Sequence, residues 1–578
     1  MRMPLTRDRA HRRHQDHFLK RSHLQSNILV DILFAMTATP ALPSFLFMLV
    51  DDIGWGDFGY NNGTALTPNI DLWARAEGSV LLQDFHSGGT VCSPTRATVL
   101  TGRHHFRDCV DFVYGCSDMS QCIPDFEFPS KTFTVGDAVR TAYPDEYDSG
   151  GAYFAGKWHL GSFFNDSEAY GRQTSSPLVH GFNKMNATIG VAPTATLNCQ
   201  CKVEWLEHCE FGHYHGPNHC YPEGHCCFNY WWDDPLAPHG VTNLTRPTPA
   251  DDSLYLADAF SRYVAERSLQ QKPFLAQISF HNCHIPFIGS QAAKDACAKG
   301  ETCRPPAPGE PPYTDEELDY YACLTELDNA VGIIMNALKQ YNYYENTMTW
   351  FAADNGPEVN CPPAGFCKKA DTDPHRPIEA PGSAGPLRGR KRDIYEGGHR
   401  VAGIVSFPSQ VKGNGVSWET VVTMDYLPSI MELLSVDRPP EQQSWALDGR
   451  SILPLLRNHT GFRWRDTREG PRSVGIGYHN PDLSVWHGWG YRFGRWKLVQ
   501  GSASCKQDDC QQPQLFDLES DLGEQNDLAS EYPDILADLK LKFQDWYRSI
   551  LHSRRHESNC TKADALVLPI SLSIEDSK

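Results

Sequence analysis

Short apolar runs, each followed directly by polar residues, alternate along the chain with longer segments of helical periodicity. The runs predict buried strands because they are short and rich in β-branched and aromatic residues. They are Ser44–Val50, Gly151–Ala155, Pro273–Phe280 and Thr347–Ala353. Helical patterns cover Asp252–Gln270 and Thr314–Tyr341, and the second opens with a capping box, Thr314-Asp315-Glu316-Glu317. This alternation predicts an α/β fold with a mainly parallel sheet.

The pattern changes in the last fifth of the chain. Alternating runs such as Ser473–His479 and Tyr491–Val499 predict an antiparallel sheet, and Pro533–Leu551 predicts a helix. A chain of 578 residues is also too long for one simple core. We therefore divide the chain into a leader or disordered N-terminus (1–41), a large domain (42–464) with a Cys-rich insert at about 198–234, a smaller domain (465–555) and a tail (556–578).

The N-terminus matches a secretory leader only in part. Residues 1–23 are rich in Arg, Lys and His, and the apolar run Ile28–Met36 that follows is interrupted by Asp31. We interpret this segment as a degenerate or mis-started leader, because the run is too short to span a bilayer. No other stretch of the sequence is long enough for a membrane helix.

Composition and charge narrow the possible partners. Hydrophobic residues make up 40% and charged residues 21% of the chain, as in ordinary globular proteins. The formal net charge of -19 argues against nucleic acid or an anionic membrane as the main partner. An anionic substrate would therefore need a local cluster of basic side chains.

Cysteines and glycosylation sequons together favour the secretory pathway. The chain has nineteen cysteines, and without Cys92 the remaining eighteen could pair completely. Cys361 and Cys367 are close enough in sequence for a local bridge. In the insert, Cys199, Cys201, His208 and Cys209 could bind zinc, but disulfides that staple a long loop are the simpler interpretation. The six N-x-S/T sequons lie at Asn62, Asn165, Asn186, Asn243, Asn458 and Asn559.

Polar residues follow four of the predicted strands, and ligands bind at the carboxyl ends of strands in such sheets. The pairs Asp51-Asp52 and Asp354-Asn355 offer hard oxygen ligands, which suit calcium or magnesium rather than zinc. The other strands lead to Lys157 and His159, and to His281 and His284. Any one of these residues taken singly could be an ordinary strand-end hydrogen bonder; His281 is best interpreted in this way.

The segment CSPTRATVLTGR, residues 92–103, predicts a helix that begins near Cys92. Pro94 suits the first turn and Gly102 suits the helix end. Cys92 would then lie at the helix N-terminus, where free N–H groups favour an anion, and Arg96 adds a fixed charge one turn later. From these residues alone, Cys92 is either a thiolate nucleophile or half of a disulfide.

Taken together, the motifs resemble those of the type I sulfatases, relatives of arylsulfatase A within the alkaline phosphatase superfamily. The resemblance runs from about Ser44 to about Leu536. It implies a large mixed, mainly parallel sheet sandwiched by helices, with a smaller C-terminal antiparallel sheet plus helix. In order, the motifs are DDIGWGDFGYNNG, CSPTRATVLTGR, GKWHLG, HIPF, YYACLTELDNAVG, ADNGPE, PLRGRKRDIYEGGHR and LFDLESDLGEQNDLA.

The resemblance implies that Cys92 is converted to formylglycine (3-oxoalanine). In this family a formylglycine-generating enzyme in the endoplasmic reticulum reads the C-x-P-x-R context and oxidises the cysteine. The hydrated aldehyde attacks sulfur with one hydroxyl, and the second hydroxyl then expels sulfate. A plain serine or cysteine ester lacks that second hydroxyl.

The resemblance also implies roles for the other site residues. The metal ligands are Asp51, Asp52, Asp354, Asn355 and the modified Cys92, and the ion is Ca²⁺ or alternatively Mg²⁺. Arg96 holds the hydrated aldehyde, while Lys157 and His159 lie at its second hydroxyl, with His159 as the base. His284 and Lys391 contact the sulfate and the leaving group, together with Lys157, and Lys391 is the candidate acid.

Several positions depart from the family pattern. Position 95 is Thr where Ser is commoner, and Arg390, Arg392 and Asp393 replace small residues around the lysine. These charges suggest a further anionic group on the substrate. The family's sulfate-contacting hydroxyl has no clear match, and Thr194 and Thr196 are the candidates.

The sequence therefore predicts a secreted or lysosome-like, calcium-dependent sulfatase that acts on aryl or, more naturally, carbohydrate sulfates. One alternative is a phosphodiesterase or phosphonate monoester hydrolase, because related enzymes use the same nucleophile for phosphorus. Another is a catalytically silent, disulfide-rich binding protein, which the intact set of polar residues disfavours. The oligomeric state stays open.

Overall fold

The structure is a computed structural model, and several predictions lie outside the residues it describes. These are the leader, most of the Cys-rich insert with its possible zinc ligands, Thr194, Thr196, the Cys361–Cys367 bridge and the last eighteen residues. The described residues are 42–113, 128–147, 150–161, 175–188, 228–233, 241–246, 252–285, 287, 289–358, 380–479, 487–501, 512–558 and 560.

Strands and helices alternate through the first three-quarters of the chain. The strands are β1 (Ser44–Val50), β2 (Ser79–Leu82), β3 (Phe85–His86), β4 (Ala152–Lys157), β5 (Lys184–Thr188), β6 (Phe228–Asp233), β7 (Val241–Arg246), β8 (Leu275–Ser279), β9 (Thr347–Ala353), β10 (Arg400–Val401), β11 (Gly403–Ser406), β12 (Gly415–Ser417), β13 (Val421–Val422), β14 (Ser473–His479), β15 (His487–Phe493), β16 (Trp496–Gln500) and β17 (Gln514–Asp517). The helices are α1 (Pro68–Ala74), α2 (Cys92–Thr101), α3 (Val135–Ala142), α4 (Pro144–Tyr147), α5 (Ser253–Gln270), α6 (Gln291–Ala298), α7 (Asp315–Gln340), α8 (Glu396–His399), α9 (Tyr426–Leu434), α10 (Leu453–Arg457) and α11 (Pro533–His556).

The main sheet has the order β12-β2-β11-β9-β1-β8-β4-β5-β6-β7 among the described strands. Its centre, β9-β1-β8-β4-β5, is parallel, whereas β11, β6 and β7 join antiparallel. Every residue of β1 is buried, which explains its unbroken apolar sequence, SFLFMLV. The predicted mixed, mainly parallel sheet is confirmed.

The element predictions hold with small shifts at the ends. The capping box predicted at Thr314 and Glu317 is present at the start of α7, and α2 ends at Gly102, whose φ of 65° suits glycine. Strand β4 extends two residues beyond its predicted end at Ala155, so Lys157 is its last residue rather than a loop residue. Gly156 permits this extension, because a Cβ there would lie 2.0 Å from the Ser279 carbonyl oxygen.

Helices pack on the main sheet to form one apolar core. Phe260 of α5, Leu327 of α7 and Ile430 of α9 are each fully buried in the same cluster as the β1 side chains. A search of the described helices finds none that is both long and apolar enough to cross a membrane.

The C-terminal part is an antiparallel meander, β14-β15-β16-β17, covered by α11. Trp489 of β15 lies between the strands and the helix, in contact with Phe543 and Tyr547 of α11. This arrangement confirms the predicted smaller antiparallel sheet plus helix.

A disulfide and buried ion pairs join α11 to the segment that follows α2. Cys560 bonds to Cys109, and the Arg554 guanidinium pairs with Asp111. Arg103 Nη2 also pairs at 2.8 Å with Glu557, which directly follows α11. The segment directly after the nucleophile helix is therefore tied to the C-terminal helix.

A buried charge network joins the C-terminal sheet to α8. Lys497 of β16 is fully buried, and its Nζ lies 2.8 Å from Glu396 and 2.9 Å from Glu524. Arg492 of β15 pairs at 2.7 Å with Asp84, which lies just before β3. Two carboxylates share one ammonium, so the network depends on Lys497.

Lys497→Met is expected to lower the free energy of unfolding by about 3 kcal/mol or more, because Glu524 and the Oε1 atom of Glu396 would lose the cation that lies between them. Denaturant unfolding measures the change. The matched control is Lys294→Met, since Lys294 pairs with Asp319 in a partly exposed position and should cost under about 1 kcal/mol. Equal losses in the two variants would contradict a special role for the network.

Candidate active site

Acidic residues at the ends of β1 and β9 form the base of the site. The two strands are parallel neighbours with Val50 opposite Ala353, so Asp51-Asp52 and Asp354-Asn355 leave the sheet side by side. The Asp52 N–H donates to Asp354 Oδ1 at 3.3 Å, and Asn355 Nδ2 donates to Asp52 Oδ1 at 2.7 Å. The structure thus brings the four predicted metal ligands together.

Cys92 is the first residue of α2 and lies directly over this acidic base. It is buried, with Sγ 3.6 Å from Asp51 Oδ1, and it forms no disulfide in the structure. The next residue, Ser93, donates to the His159 carbonyl oxygen at 2.6 Å, which ties the helix start to the end of β4. Burial raises the pKa of the Cys92 thiol to about 12, so an unmodified cysteine here is a thiol rather than a thiolate.

Arg96 binds the acidic base from the next turn of α2. Its Nη2 lies 2.8 Å from Asp354 Oδ2 and 3.3 Å from Asp51 Oδ2, while Nη1 donates to the Lys157 carbonyl oxygen at 2.8 Å. A guanidinium in three directed contacts has little freedom to move. Arg96 therefore fixes α2 relative to β1, β4 and β9.

Lys157 and His159 reach the site from the end of β4. Lys157 Nζ lies 2.5 Å from Asp51 Oδ2, and both groups are buried. His159 has a φ of 58°, and its Nδ1 is buried without a hydrogen-bond partner among the described residues. Burial, assisted by the charges of Lys157 and Arg96, holds the pKa of His159 well below its ordinary value. The imidazole is therefore neutral.

His284 and His281 follow β8 but have different surroundings. His284 Nε2 lies 3.6 Å from Asp52 Oδ2, and its side chain is 14% exposed. Burial lowers the pKa of His284 to about 4 despite the Asp52 charge. His281 hydrogen-bonds Asp252 at 2.7 Å and Thr188 at 2.8 Å, as expected for a strand-end hydrogen bonder.

Lys391 completes the ring of predicted basic residues. Its Nζ lies 2.7 Å from Asp52 and 3.1 Å from Glu358. Two of the charged residues that depart from the family pattern, Arg390 and Asp393, form hydrogen bonds within the protein. Arg390 donates to the carbonyl oxygens of Ala380 and Gly382 at 2.8 Å, and Asp393 accepts from the Arg390 N–H at 2.8 Å. These two side chains hold the Lys391 loop together and are not free to bind substrate.

Arg392 is also paired. Its guanidinium contacts both oxygens of Glu358, and its side chain is 34% exposed. Glu358 is a buried charged residue of the site for which the motifs predicted no role. Its position four residues after Asp354, combined with the basic run RGRKR, is the sequence signal that could have identified it.

The donor set fits a hard divalent cation. One ligand atom each of Asp51, Asp52, Cys92 and His284 lies within 4.8 Å of the others. Asn355 Oδ1 is buried and accepts no hydrogen bond from the described residues, as expected of an oxygen that faces a cation. Burial and the neighbouring Asp51 charge raise the pKa of Asp354 to about 7. His284 is a further possible ligand that the motifs did not predict.

The charges of the protein alone do not make the site positive. The carboxylates of Asp51, Asp52 and Asp354 are balanced by three cations, Arg96, Lys157 and Lys391. Glu358 likewise balances Arg392, and the histidines are neutral. A bound divalent cation would give the site the positive charge that an anionic substrate needs.

Two family models match the chain. The model described as Sulfatase matches residues 43–436, and the model described as N-sulphoglucosamine sulphohydrolase, C-terminal, matches residues 390–548. Among curated proteins, N-acetylgalactosamine-6-sulfatase of Canis lupus familiaris is 26% identical over 91% of this chain and 89% of its own length. Arylsulfatase A of Homo sapiens is 27% identical over 88% of this chain and 89% of its own length.

Solved structures share the fold. The crystal structure of Ps i-CgsB in complex with k-i-k-neocarrahexaose superposes with a TM-score of 0.66 at 19% identity, covering 88% of this chain and 93% of that chain. A phosphonate monoester hydrolase, SpPMH from Silicibacter pomeroyi, superposes with a TM-score of 0.53 at 16% identity, covering 92% and 97%. At these identities the likeness shows the fold and leaves the reaction to the site residues.

Proposed function

The chain belongs to the sulfatase family, and from this premise we propose that it hydrolyses carbohydrate sulfate monoesters with a formylglycine made from Cys92. Its class, sulfuric ester hydrolase, follows from the family and the named relatives. One observation carries the proposal. Asp51, Arg96 and Lys157 form one connected cluster beside a cysteine that heads a helix and has no disulfide partner in the structure.

Formylglycine, once hydrated, supplies one hydroxyl to attack sulfur and a second to expel sulfate. Cys92 stands in the C-x-P-x-R context, and its buried thiol is held close to Asp51. Because the thiol is buried in the folded protein, a modifying enzyme can reach it only before folding is complete.

The residues around Cys92 divide into two groups by position. Arg96 and Lys157 form the first group and lie on the Cys92 side of the site. Both contact Asp51, and Arg96 also binds the backbone of Lys157. His159 is neutral with an unpaired Nδ1, so this nitrogen can take a proton as sulfate is expelled.

The second group faces the alcohol that departs. Lys391 Nζ carries protons beside Asp52, and the partly exposed His284 lies next to the same carboxylate. We assign Lys391 the transfer of a proton to the leaving oxygen, and we assign His284 and Lys157 contacts to the sulfate.

Asp51, Asp52, Asp354 and Asn355 would hold the divalent cation, with Ca²⁺ as the first choice and Mg²⁺ as the second. When bound, the cation stabilises negative charge on the attacking oxygen and on a sulfate oxygen. Asn355 Oδ1, which has no other partner, supports this assignment.

A sulfated carbohydrate is the substrate class that the relatives support. Their names or bound ligands specify a sulfated amino sugar and an oligosaccharide. The formylglycine-generating enzyme would be the partner during maturation, which places the chain in the secretory pathway and predicts export or a lysosome-like compartment. This route agrees with the exposure of the sequon residues Asn62 and Asn458 and with the three disulfides among the described residues. The sequon residue Asn186 is instead buried in β5 and cannot accept a glycan after folding.

The purified protein is expected to turn over an aryl sulfate with a kcat/KM at least about 100-fold above that for the matching aryl phosphodiester. This ratio separates a sulfatase from a phosphonate or phosphodiester hydrolase, the second candidate that the fold of SpPMH favours. Sulfated monosaccharides then test the substrate class. A mass spectrum of the peptide that carries residue 92 should show the aldehyde in place of the thiol. Preference for the phosphodiester would overturn the assignment.

A further inference from the structure

Glu358 lies between two cations of the segment that carries Lys391. Its Oε2 is 3.1 Å from Lys391 Nζ, and both of its oxygens contact the Arg392 guanidinium. The backbone is tied as well, because the Glu358 carbonyl oxygen accepts from Arg390 Nε at 2.9 Å and the Pro357 carbonyl oxygen accepts from the Lys391 N–H at 3.0 Å. Residues 357 and 358 therefore hold three consecutive basic residues.

Lys391 needs such a contact because its ammonium lies at the end of a flexible four-carbon side chain. Among the described residues, two carboxylates are in salt-bridge contact with this ammonium, those of Asp52 and Glu358. Asp52 is also a proposed cation ligand, and a carboxylate that binds a divalent cation attracts an ammonium less strongly. Glu358 then becomes the main carboxylate partner of Lys391.

We propose that Glu358 is a positioning residue that holds the Lys391 ammonium at the leaving-group side of the site. This inference rests on the proposed function. In the step concerned, the negatively charged attacking oxygen of residue 92 forms a bond to sulfur and the bond between sulfur and the alcohol oxygen breaks. The electron pair of the broken bond stays on the alcohol oxygen, and a proton moves to it from Lys391 Nζ. The proton must be within hydrogen-bond reach when the bond breaks, so a small displacement of Nζ slows the step.

The contact of Glu358 with Arg392 serves the same arrangement. A guanidinium that meets both carboxylate oxygens fixes the plane of the carboxylate. One oxygen, Oε2, is thereby kept on the Lys391 side. Glu358 is almost completely buried, so this geometry is not weakened by solvent.

The test is the dependence of kcat on the leaving group in Glu358→Gln. A proton donor matters most for an alcohol that leaves poorly as an anion, such as a sugar hydroxyl, and least for a nitrophenol. We expect kcat to fall by about 100-fold for a sugar sulfate and by less than about tenfold for a nitrophenyl sulfate. A loss that acts only through folding would lower both values by the same factor.

Two further variants separate the contacts of Glu358. Arg392→Gln leaves the carboxylate beside Lys391 but no longer fixes its plane, so it should change the ratio between the two esters in the same direction as Glu358→Gln and by a smaller factor. Glu557→Gln is the matched control, because Glu557 is nearly buried and pairs with Arg103 at 2.8 Å in the contact between α11 and the segment after α2. Glu557→Gln should keep the wild-type ratio between the kcat values for the two esters.

Equal loss for both esters in Glu358→Gln, or a change of the ratio in Arg392→Gln as large as that in Glu358→Gln, would overturn the inference. If Glu358→Gln does not fold, Glu358→Asp takes its place, since it keeps the charge at a shorter reach. In Glu358→Asp, kcat for the sugar sulfate should fall about tenfold more than kcat for the nitrophenyl sulfate. Equal losses for the two esters would again overturn the inference. Wild-type protein that hydrolyses neither sulfate ester would instead contradict the proposed function itself.

Discussion

Cys92→Ser is expected to lower turnover of sulfate esters by about 10⁴-fold or more, the scale on which an enzyme depends on its nucleophile. Serine is nearly the same size as cysteine, and Cys92 has no disulfide partner in the structure, so the fold should survive. Serine is not a substrate for the cysteine-specific modification and offers a single hydroxyl. That hydroxyl could accept sulfate once, but no neighbouring hydroxyl could expel it.

Three measurements decide this prediction. Steady-state kinetics give the loss of turnover, circular dichroism and the unfolding midpoint report the fold, and intact mass after incubation with substrate should show at most one added sulfate group. The matched control is Ser93→Ala, because it alters the next residue and its contact with the His159 carbonyl without touching the modified position. Full multiple turnover by Cys92→Ser, with unmodified serine confirmed by mass, would rule out the formylglycine mechanism.

Asp354→Asn is expected to lower kcat/KM by about 10³-fold and to abolish the stabilising effect of calcium. The substitution keeps the shape of the side chain but removes a charge from the acidic base, and it places an N–H donor where Asp354 now accepts from Asp52 N–H and Arg96. In chelator-treated wild-type protein, calcium at about 100 times its Kd should add about 2.7 kcal/mol of stability. The variant should show no such shift.

Asp328→Asn is the control for this experiment. Asp328 is also a buried aspartate, but it accepts from the backbone N–H groups of Asn69 and Ile70 at the start of α1, away from the catalytic residues. It should lose stability while keeping the calcium response and the catalytic rate. Calorimetric titration with Ca²⁺ checks binding independently of activity. Calcium binding by Asp354→Asn at wild-type affinity would remove Asp354 from the ligand set.

Much of the fold and the positions of the site segments could be predicted from local sequence. The unbroken apolar run of β1, the capping box of α7 and the Pro94–Gly102 spacing in α2 each depend on neighbours within a few residues. Residues that follow parallel strands meet at one edge of the sheet for simple geometric reasons. This is why the strand pattern alone was enough to predict that Asp51-Asp52 and Asp354-Asn355 lie at the same edge of the sheet.

The contacts between charged side chains were decided only by the tertiary structure. Asp52 and Asp354 are 302 positions apart, and their hydrogen bond depends on the sheet order β9-β1-β8, which periodicity does not encode. The sequence showed a basic run at 388–392 and suggested a free anion site. Folding instead places Glu358 between Lys391 and Arg392, and it commits Arg390 to backbone carbonyls.

Which polar residues are buried was also decided only by the tertiary structure. The sequon at Asn186 reads like the other five, yet β5 buries its amide against Tyr255. Lys497 lies in an alternating strand pattern that does not reveal the two glutamates around it. The sequence by itself determined which residue types the site contains and which strands carry them, because those depend on local pattern. The tertiary structure decided which charges meet and which are buried, because an ion pair depends on distance through space between segments far apart in the chain.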